Sequence, residues 1–391
     1  MTQIKPVHPF PARMAASLAF DEMLPGTGDR LRVLDPMSGS GTTLIAAKMR
    51  GHDAIGFDLD PLAVCIANAW CAEWPRDKFL ARAHFVLEQA RSLYSDVPAR
   101  DAFPTADNET RDFINFWFDT SNQKQLNALS TAIRSQPDSA LRNLLWCAFS
   151  RTIITKEPIV SRARDTSHSR PHKVCKKSRY RLFDVFMKYA KLVADRINVP
   201  AHGSAVASLG DARSLPIKSH SVDLVITSPP YFDAIDYMRG HRLSLVWQGY
   251  TLSELREKKS EVIGHKRRGT ENLDIFEAML PMVSKLDSKH ASRKQNLVQY
   301  FGDLARVLSE VSRVLVKGGQ AVLVVANTSG ASKVDSAKAI KLLAKKEGLS
   351  LINETTRKIP ASRRYLPIQV DRKSSLGMRM RTETVLRFRP N

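Results

Sequence analysis

An acceptor-rich turn follows the apolar run that ends at residue 227, in the segment Thr227-Ser-Pro-Pro-Tyr231. Its two prolines fix φ and remove two N–H donors, which leaves the Ser228 hydroxyl and the carbonyls of Ser228 and Pro229 as acceptors. Carbonyls that accept from an exocyclic amine, beside an aromatic ring such as Tyr231 that stacks on a heterocycle, would hold a planar base. A plain loop breaker after a strand explains the same prolines, so this turn alone leaves both interpretations open.

A glycine-rich turn, Asp35-Pro-Met-Ser-Gly-Ser-Gly-Thr-Thr43, is the second segment with chemical potential. Its glycines allow a sharp turn, and the helix N-terminus that follows offers free N–H groups to a carboxylate or phosphate. Many such turns are glycine-rich for steric reasons alone. Asp58, however, ends the next strand about 20 residues on, where an acid can accept from ribose hydroxyls. No Gly-Lys-Ser/Thr follows, so this is not a Walker A loop, and the spacing favours an adenosine-containing cofactor.

The elements around these residues predict an α/β fold. Residues 32–37 form a short apolar strand, residues 44–50 a helix and residues 54–58 a second strand. Pro61 then opens another helix, since proline is well tolerated at a first helical position. This order of strand, turn, helix, strand and acid is typical of half of a doubly wound parallel sheet.

The α/β pattern resumes in the C-terminal part of the chain. Apolar residues recur at helical spacing from Leu304 to Leu315, and Gly318-Gly319 is predicted to end that helix. Residues 321–325 predict a buried strand, and further strands are expected near 349–352 and 384–388.

Between these parts lies a stretch with a different pattern, from about Trp74 to Val199. Aromatic-rich helical segments occur at 113–118 and 141–146, and a long amphipathic helix is predicted at 182–197. We expect the aromatic residues of 113–118 to form the core of this insertion rather than a stacking platform.

The chain is strongly basic, with 60 Lys+Arg against 39 Asp+Glu and a net charge of +21 over 391 residues. A protein this basic is expected to meet a polyanion, nucleic acid first of all. Residues 162–181 hold eight cations against one acid, which favours phosphate contacts over a solvated face. The pairs Lys258-Lys259 and Lys345-Lys346 are interpreted as solvated. The predicted DNA-binding residues are Arg162, Arg164, Arg170, Lys173, Lys176, Lys177, Lys266, Arg267 and Arg268.

Taken together, the motifs closely resemble those of the S-adenosylmethionine-dependent DNA amino-methyltransferases, which act on N4 of cytosine or N6 of adenine. Residues 35–43 resemble that family's loop for the methionine end of the cofactor, and Asp58-x-Asp60-Pro61 its ribose-binding segment. Gly210-Asp211-Ala212 is similar to the loop whose acid meets the adenine amine. Ser228-Pro-Pro-Tyr231 resembles the catalytic tetrapeptide, and His8-Pro-Phe-Pro-Ala12 the N-terminal cofactor-contacting motif.

The resemblance implies a Rossmann-like, doubly wound, mostly parallel methyltransferase sheet with a large helical insertion, S-adenosylmethionine as cofactor, and duplex DNA with a flipped base as partner. The implied cofactor-binding residues are His8, Pro9, Phe10, Asp35, Pro36, Met37, Gly39, Ser40, Gly41, Thr42, Asp58 and Asp211. The implied catalytic residues are Ser228, Pro229, Pro230 and Tyr231. Met37 stands where the family usually has Phe and keeps an apolar wall. Residues 313–319 resemble the helix-to-strand element that follows the catalytic motif.

The resemblance also implies a division of the chain. Residues 1–74 would be the cofactor-binding half, 75–200 a helical and basic insertion for DNA recognition, 201–250 the catalytic half, 251–300 a second insertion that could contact DNA, and 301–391 the rest of the sheet. In family members with this motif order, the recognition region falls elsewhere than between the two motifs. Residues 251–300 therefore compete with 75–200 for that role.

The chemistry implied is methyl transfer to an exocyclic amine. The lone pair of such an amine is delocalised into the ring, so acceptors on its N–H bonds and alignment with the sulfonium methyl would supply much of the rate. Methylation at C5 of cytosine would need a cysteine after a proline, and none of the four cysteines follows one.

Ser at the first tetrapeptide position is more typical of N4-cytosine enzymes, and a hydroxyl can accept from the amine while donating to a ring acceptor such as N3. The prediction is a site-specific N4-cytosine DNA methyltransferase of the restriction–modification kind. N6-adenine methylation, RNA base methylation and a catalytically silent DNA-binding module are the alternatives.

Two further expectations are negative. His168, His172 and Cys175 lie close in sequence, but a structural zinc site wants four ligands and the stretch is basic, so no metal is expected. The sequence has no apolar run long enough to span a membrane and no apolar secretory signal at its start, so a cytoplasmic location is expected.

Overall fold

The structure, a computed structural model, describes residues 4–10, 13–23, 30–96, 107–199, 202–232, 236–264, 291–325, 335–359 and 382–391. Its strands are β1 (Arg32–Asp35), β2 (Asp53–Asp58), β3 (Ala163–Arg164), β4 (His172–Lys173), β5 (Ser204–Leu209), β6 (Val222–Thr227), β7 (Leu315–Val325), β8 (Leu349–Lys358) and β9 (Thr382–Pro390). Its α-helices are α1 (Ala16–Glu22), α2 (Thr42–Met49), α3 (Pro61–Cys71), α4 (Arg76–Asp96), α5 (Asn108–Trp117), α6 (Thr120–Arg134), α7 (Ser139–Ile153), α8 (Leu182–Ile197), α9 (Tyr237–Leu245), α10 (Leu252–Glu261), α11 (Ala291–Val314) and α12 (Ser336–Lys346). No helix within these ranges is both long and apolar enough to cross a bilayer.

The main sheet has the strand order β5-β2-β1-β6-β7-β9-β8. The first five strands in that order pair in parallel, whereas β9 runs antiparallel to both β7 and β8. The order reverses between β1 and β6, so the crevice for a ligand is expected where their carboxyl ends meet. The predicted doubly wound, mostly parallel sheet is confirmed.

The predicted insertion is helical and lies in the crossover from β2 to β5. Helices α3 to α8 share one continuous core with the sheet rather than forming a core of their own. The aromatic segment 113–118 is divided between core and surface, because Trp117 at the end of α5 and Phe118 after it are buried and Phe113 is half-buried, while Phe116 is 49% exposed. The expectation that this segment forms core therefore holds for two of its aromatic rings but not for Phe116.

The helix before β7 differs from its prediction. It ends at Val314 rather than at Gly318-Gly319, and both glycines lie inside β7. The pairing of β6 with β7 explains why. Leu315 already pairs with Val222, and the register then shifts so that Leu224 meets Gln320. The two glycines occupy this irregularity, where a flanking turn had been expected.

The side chain of Asn68 on α3 binds the backbone of the outer strand β5. The Asn68 amide donates to the carbonyl of Ala207 at 2.9 Å, and the backbone N–H of Ala207 donates to Asn68 Oδ1 at 2.8 Å. Ala207 is buried, so both of its backbone groups depend on Asn68 rather than on water.

We expect Asn68→Ala to lower the free energy of unfolding by about 1–3 kcal/mol, because buried peptide groups would lose their partner. Urea denaturation followed by circular dichroism measures this loss. Asn198→Ala, at an exposed position after α8, is the matched control and should change the midpoint little. Equal effects in the two variants would contradict this role for Asn68.

Candidate active site

A cavity of about 370 Å³ lies where the loops after β1, β2, β5 and β6 meet. The parallel pairing of these strands places all four loops at the same edge of the sheet. Twelve of the residues predicted from sequence line it, and they are Phe10, Asp35, Pro36, Met37, Gly39, Ser40, Thr42, Asp58, Asp211, Ser228, Pro230 and Tyr231. The structure thus brings the glycine-rich turn and the Ser-Pro-Pro-Tyr turn into one cavity.

Four of the sixteen predicted cofactor-binding and catalytic residues do not line this cavity. His8 is buried behind it, with its Nε2 3.0 Å from the Ser150 hydroxyl of α7, and Pro9 is half-buried beside it. Pro229 is buried within the Ser-Pro-Pro-Tyr turn. Gly41 caps α2 with φ of +85°, and a Cβ there would lie 2.8 Å from Cβ of Ala67. A side chain at Gly41 would therefore push α2 away from α3.

Asp58 holds the glycine-rich turn in place. Its Oδ2 accepts from the N–H of Gly39 at 2.8 Å, and its Oδ1 accepts from the N–H of Asp60 at 2.9 Å. The hydroxyls of Ser38 and Ser40 also line the cavity, are buried, and have no hydrogen-bond partner in the described part of the chain. Such buried hydroxyls suit a polar ligand that would complete their hydrogen bonds. Ser38 was not among the residues singled out from sequence.

The cavity concentrates acids in a basic protein. Burial raises the pKa of Asp35 to about 6, against hydrogen bonds from Thr43 and Thr227 that lower it. Burial also raises the pKa of Asp58 to about 7, with the neighbouring charge of Asp60 as the next cause. A ligand that carries positive charge or several hydrogen-bond donors would stabilise the ionised form of these buried carboxyl groups.

The N-terminal segment closes one side of the cavity through ring contacts. Phe10 stacks on Tyr237 of α9 with 5.7 Å between ring centroids, and its ring centroid lies 5.0 Å from that of His241. His241 is buried and its Nδ1 bonds Asp60, which also caps α3 by accepting from the N–H of Leu62. Residues from α9 and from the loop after β2 are therefore joined beneath the N-terminal segment.

Asp211, which is predicted to meet an adenine amine, forms a salt bridge with Arg213. The guanidinium donates from Nε to Asp211 Oδ1 at 2.9 Å and from Nη2 to Oδ2 at 2.6 Å. It also donates to Asp303 of α11 at 2.8 Å and to the carbonyl of Glu261 at the end of α10. The side chains of Arg213 and Asp303 are each only 2% exposed. This buried ion network fixes the loop after β5 against both helices.

The Ser-Pro-Pro-Tyr turn is bonded to side chains and strands outside it. The Ser228 hydroxyl donates to the carbonyl of Val324 in β7 at 3.1 Å. The hydroxyl of Tyr300, on α11, donates to the carbonyl of Pro230 at 2.8 Å. Sequence reasoning missed Tyr300, since no motif signals a partner 70 positions away.

Described residues of the second insertion, 251–300, also line the cavity. Lys258, Lys259, Val262, Ile263 and Gly264 all line it. The ammonium of Lys259 bonds the Asp236 carboxylate at 2.7 Å, and its side chain is 41% exposed, so this lysine is a solvated charge that also forms an ion pair. The predicted residues Lys266, Arg267 and Arg268 lie outside the described residues.

The basic segment 162–181 is fastened to the wall of the cavity. The Ser169 hydroxyl donates to the carbonyls of Asp236 and Tyr237, and the N–H of Gly240 donates back to it at 3.0 Å. A Cβ at Gly240 would lie 2.6 Å from the carbonyl oxygen of Thr166, so only glycine permits this packing. Asp236 and Tyr237 line the cavity, which places the basic segment beside it.

The side chains of this segment vary in exposure. Arg162 is half-buried and donates to the carbonyl of Asn115 at 3.1 Å, whereas six other cations of the segment are exposed. Those six are Arg164, Arg170, Lys173, Lys176, Lys177 and Arg179. The ammonium of Lys173 lies 4.4 Å from the ring centroid of the exposed Phe116.

The segment also holds the histidines weighed as metal ligands. His168 and His172 face Asp165, with nitrogen–oxygen distances of 3.6 Å and 3.4 Å. The thiol of Cys175 instead donates to the carbonyl of Arg162 at 3.8 Å. Within the described ranges, no group of three or more His, Cys, Asp or Glu residues is arranged to hold a metal ion.

No family model matches the chain. Over 384 residues it is 24% identical to the Type II methyltransferase M.MvaI of Kocuria varians, a match that covers 91% of this chain and 84% of that protein. Among solved structures it is similar to a TehB-like SAM-dependent methyltransferase from Corynebacterium glutamicum, with 11% identity, a TM-score of 0.30, and coverage of 96% of this chain and 87% of that chain. A candidate DNA modification methylase from Thermus thermophilus is 20% identical, with a TM-score of 0.23 and coverage of 46% of this chain and 50% of that chain. Both TM-scores are low, so the function has to be argued from the site itself.

Asp58 should leave a signature in the pH dependence of stability. Burial raises its pKa in the folded protein from 3.8 to about 7, so the folded chain holds this proton more tightly than the unfolded chain. Asp58 therefore stabilises the fold at low pH, and this contribution is lost as the pH rises from 3.8 to about 7. Asp58→Asn should flatten the curve of unfolding free energy against pH across that window, as measured by urea denaturation.

The slope is the readout, because Asn keeps only one of the two acceptor oxygens and will change absolute stability too. Asp53→Asn is the control, since a hydrogen bond from Ser204 is the main cause that lowers the pKa of Asp53. Its ionised form stabilises the fold, so its contribution is lost as the pH falls, with the opposite sign. An Asp58→Asn curve parallel to that of wild type would contradict the raised pKa.

Proposed function

We propose that the protein is an S-adenosylmethionine-dependent DNA methyltransferase that transfers a methyl group to an exocyclic amine, N4 of cytosine by preference. The observation that supports this most is the meeting, in one cavity, of an acidic glycine-rich pocket with a Ser-Pro-Pro-Tyr turn. The full-length similarity to a Type II methyltransferase agrees with this proposal.

The residues of the cavity fit such a cofactor. Asp58, at the end of β2, would accept from the ribose hydroxyls, and Asp211 from the adenine amine. Asp35 and the unpartnered hydroxyls of Ser38 and Ser40 would face the charged methionine end. When bound, the cofactor supplies an electrophilic methyl group on a positively charged sulfur, and the surrounding carboxylates stabilise that charge.

The catalytic turn would bind the target amine. The Ser228 hydrogen is donated to Val324, so while that bond holds the hydroxyl oxygen can only accept. It would accept from an N–H of the amine and favour localisation of the nitrogen lone pair, with Tyr231 stacking on the base. This arrangement does not support donation from Ser228 to cytosine N3. The preference for cytosine therefore depends on the resemblance of Ser228-Pro-Pro-Tyr231 to N4-cytosine enzymes, and N6-adenine methylation is the second candidate.

The DNA backbone would lie along the basic segment. Six exposed cations lie on the segment 162–181, whose Ser169 is bonded to the wall of the cavity. A duplex that followed these cations would place a flipped base within reach of the catalytic turn. Lys258 and Lys259 on the cavity wall belong to the second insertion, so both insertions would border the DNA.

The test of the proposed function is incubation with S-adenosylmethionine and separate pools of duplex DNA and RNA, followed by mass spectrometry of the nucleosides. We expect N4-methylcytosine in DNA, and much slower formation of it with Ser228→Ala. N6-methyladenine in DNA without N4-methylcytosine would retain the enzyme class and overturn the choice of base. Methylation of RNA alone would overturn the DNA assignment.

Replacement of Arg170, Lys173, Lys176 and Lys177 by alanine should weaken DNA binding at every sequence. Removal of each cation that binds a phosphate should reduce the slope of log affinity against log salt by roughly 0.9 on duplex DNA. Fluorescence anisotropy at several salt concentrations measures this slope.

The matched control replaces four lysines that are exposed but do not line the cavity, namely Lys317, Lys338, Lys345 and Lys346. This control removes the same total charge from the protein. Similar slopes in the two variants would mean that net charge, rather than this segment, determines DNA binding.

A further inference from the structure

Tyr300 reaches the catalytic turn from a helix that belongs to neither sequence motif. It lies on α11, is only 4% exposed, and lines the cavity. Its hydroxyl donates to the carbonyl of Pro230 at 2.8 Å. Burial is the main cause that raises the pKa of Tyr300, so the phenol stays protonated at neutral pH and remains a donor.

Aromatic packing fixes the direction of this hydroxyl. The Tyr300 ring centroid lies 5.5 Å from that of Phe232, just after the turn, and 5.1 Å from that of Phe301 on the same helix. Rings packed at these distances leave little freedom for rotation. The hydroxyl is therefore held at one position relative to the turn.

The turn depends on such outside bonds because of its composition. Pro229 and Pro230 have no N–H, so neither can anchor the backbone by donating a hydrogen bond. The Ser228 hydroxyl anchors the start of the turn to Val324, and Tyr300 anchors its end at Pro230. The Pro230 carbonyl belongs to the peptide unit that leads into Tyr231, so its orientation fixes where the Tyr231 side chain begins.

We propose that Tyr300 is a positioning residue for methyl transfer. By binding the Pro230 carbonyl, it fixes the peptide between Pro230 and Tyr231 and with it the surface on which the target base stacks. The acceptors at the Ser228 end of the turn are then left to the target amine. This role rests on the proposed function, since it assumes that a base carrying an amine occupies the turn.

A purely structural role for Tyr300 predicts a different effect of Tyr300→Phe. If the side chain only fills space, Phe would replace it without loss, because the ring alone makes the aromatic contacts. If the hydroxyl supports the fold as a whole, its removal would lower stability and cofactor binding together with activity. A positioning role predicts a loss confined to turnover of bound DNA.

The experiment compares wild type, Tyr300→Phe and a control, Tyr189→Phe, which removes a phenol hydroxyl from α8 at a half-buried site away from the cavity. Steady-state methylation of DNA gives kcat and KM, calorimetry gives the Kd of S-adenosylhomocysteine, and thermal unfolding gives Tm. For Tyr300→Phe we expect kcat to fall roughly 2- to 12-fold, the range that corresponds to loss of one neutral hydrogen bond. The Kd of S-adenosylhomocysteine should stay within about 2-fold of the wild-type value, and Tyr189→Phe should match wild type throughout.

The outcomes separate this proposal from the one on which it rests. If wild type methylates DNA and Tyr300→Phe has the same kcat, the positioning role is overturned while the proposed function stands. A parallel loss of cofactor affinity and Tm in Tyr300→Phe overturns it too, since the hydroxyl would then support the fold. If wild type transfers no methyl group to DNA, the proposed function fails first and the role of Tyr300 falls with it.

Discussion

The cavity lined by the two predicted motifs depends on the parallel pairing of β1 with β6. Val33 pairs with Leu224 and Leu34 with Val225, which brings the ends of two strands from distant parts of the chain side by side. The hydroxyl of Thr43, at the start of α2, donates to the carbonyl of Ile226 at 3.4 Å, across 183 residues of sequence. Because the strand order reverses here, the glycine-rich turn and the Ser-Pro-Pro-Tyr turn face the same crevice.

Charge is divided between the inside and the outside of this site. The cavity contains Asp35, Asp58, Asp60 and Asp211 in a protein of net charge +21, while exposed cations occupy the neighbouring segment 162–181. Burial makes Asp35 and Asp58 costly to ionise, which is why the pKa values of these two acids rise. A cationic ligand in the cavity would stabilise the buried carboxylates, and a polyanion outside it would neutralise the exposed cations.

The Ser-Pro-Pro-Tyr turn illustrates how a motif depends on residues outside it. Its prolines make it rigid but remove two of the backbone donors that could anchor it. Its position is therefore determined by Val324 and Tyr300, from a strand and a helix on the far side of β6. The bond to Val324 also changes the chemistry available to Ser228, because a hydroxyl whose hydrogen is already donated offers only its oxygen.

Local patterns in the sequence predicted the parallel sheet and the helix from 182 to 197, whereas the resemblance of its motifs to a known family predicted twelve residues of the cavity. Such features are encoded by neighbours in the chain, since apolar periodicity and turn residues act over a few positions. Three features were decided only by tertiary structure. They are the start of β7 at Leu315, the salt bridges of Arg213 with Asp211 and Asp303, and the hydrogen bonds that Ser169 of the basic segment makes with α9. Each depends on which distant backbone groups lie within hydrogen-bond distance after folding, and no local pattern of residue types encodes that distance.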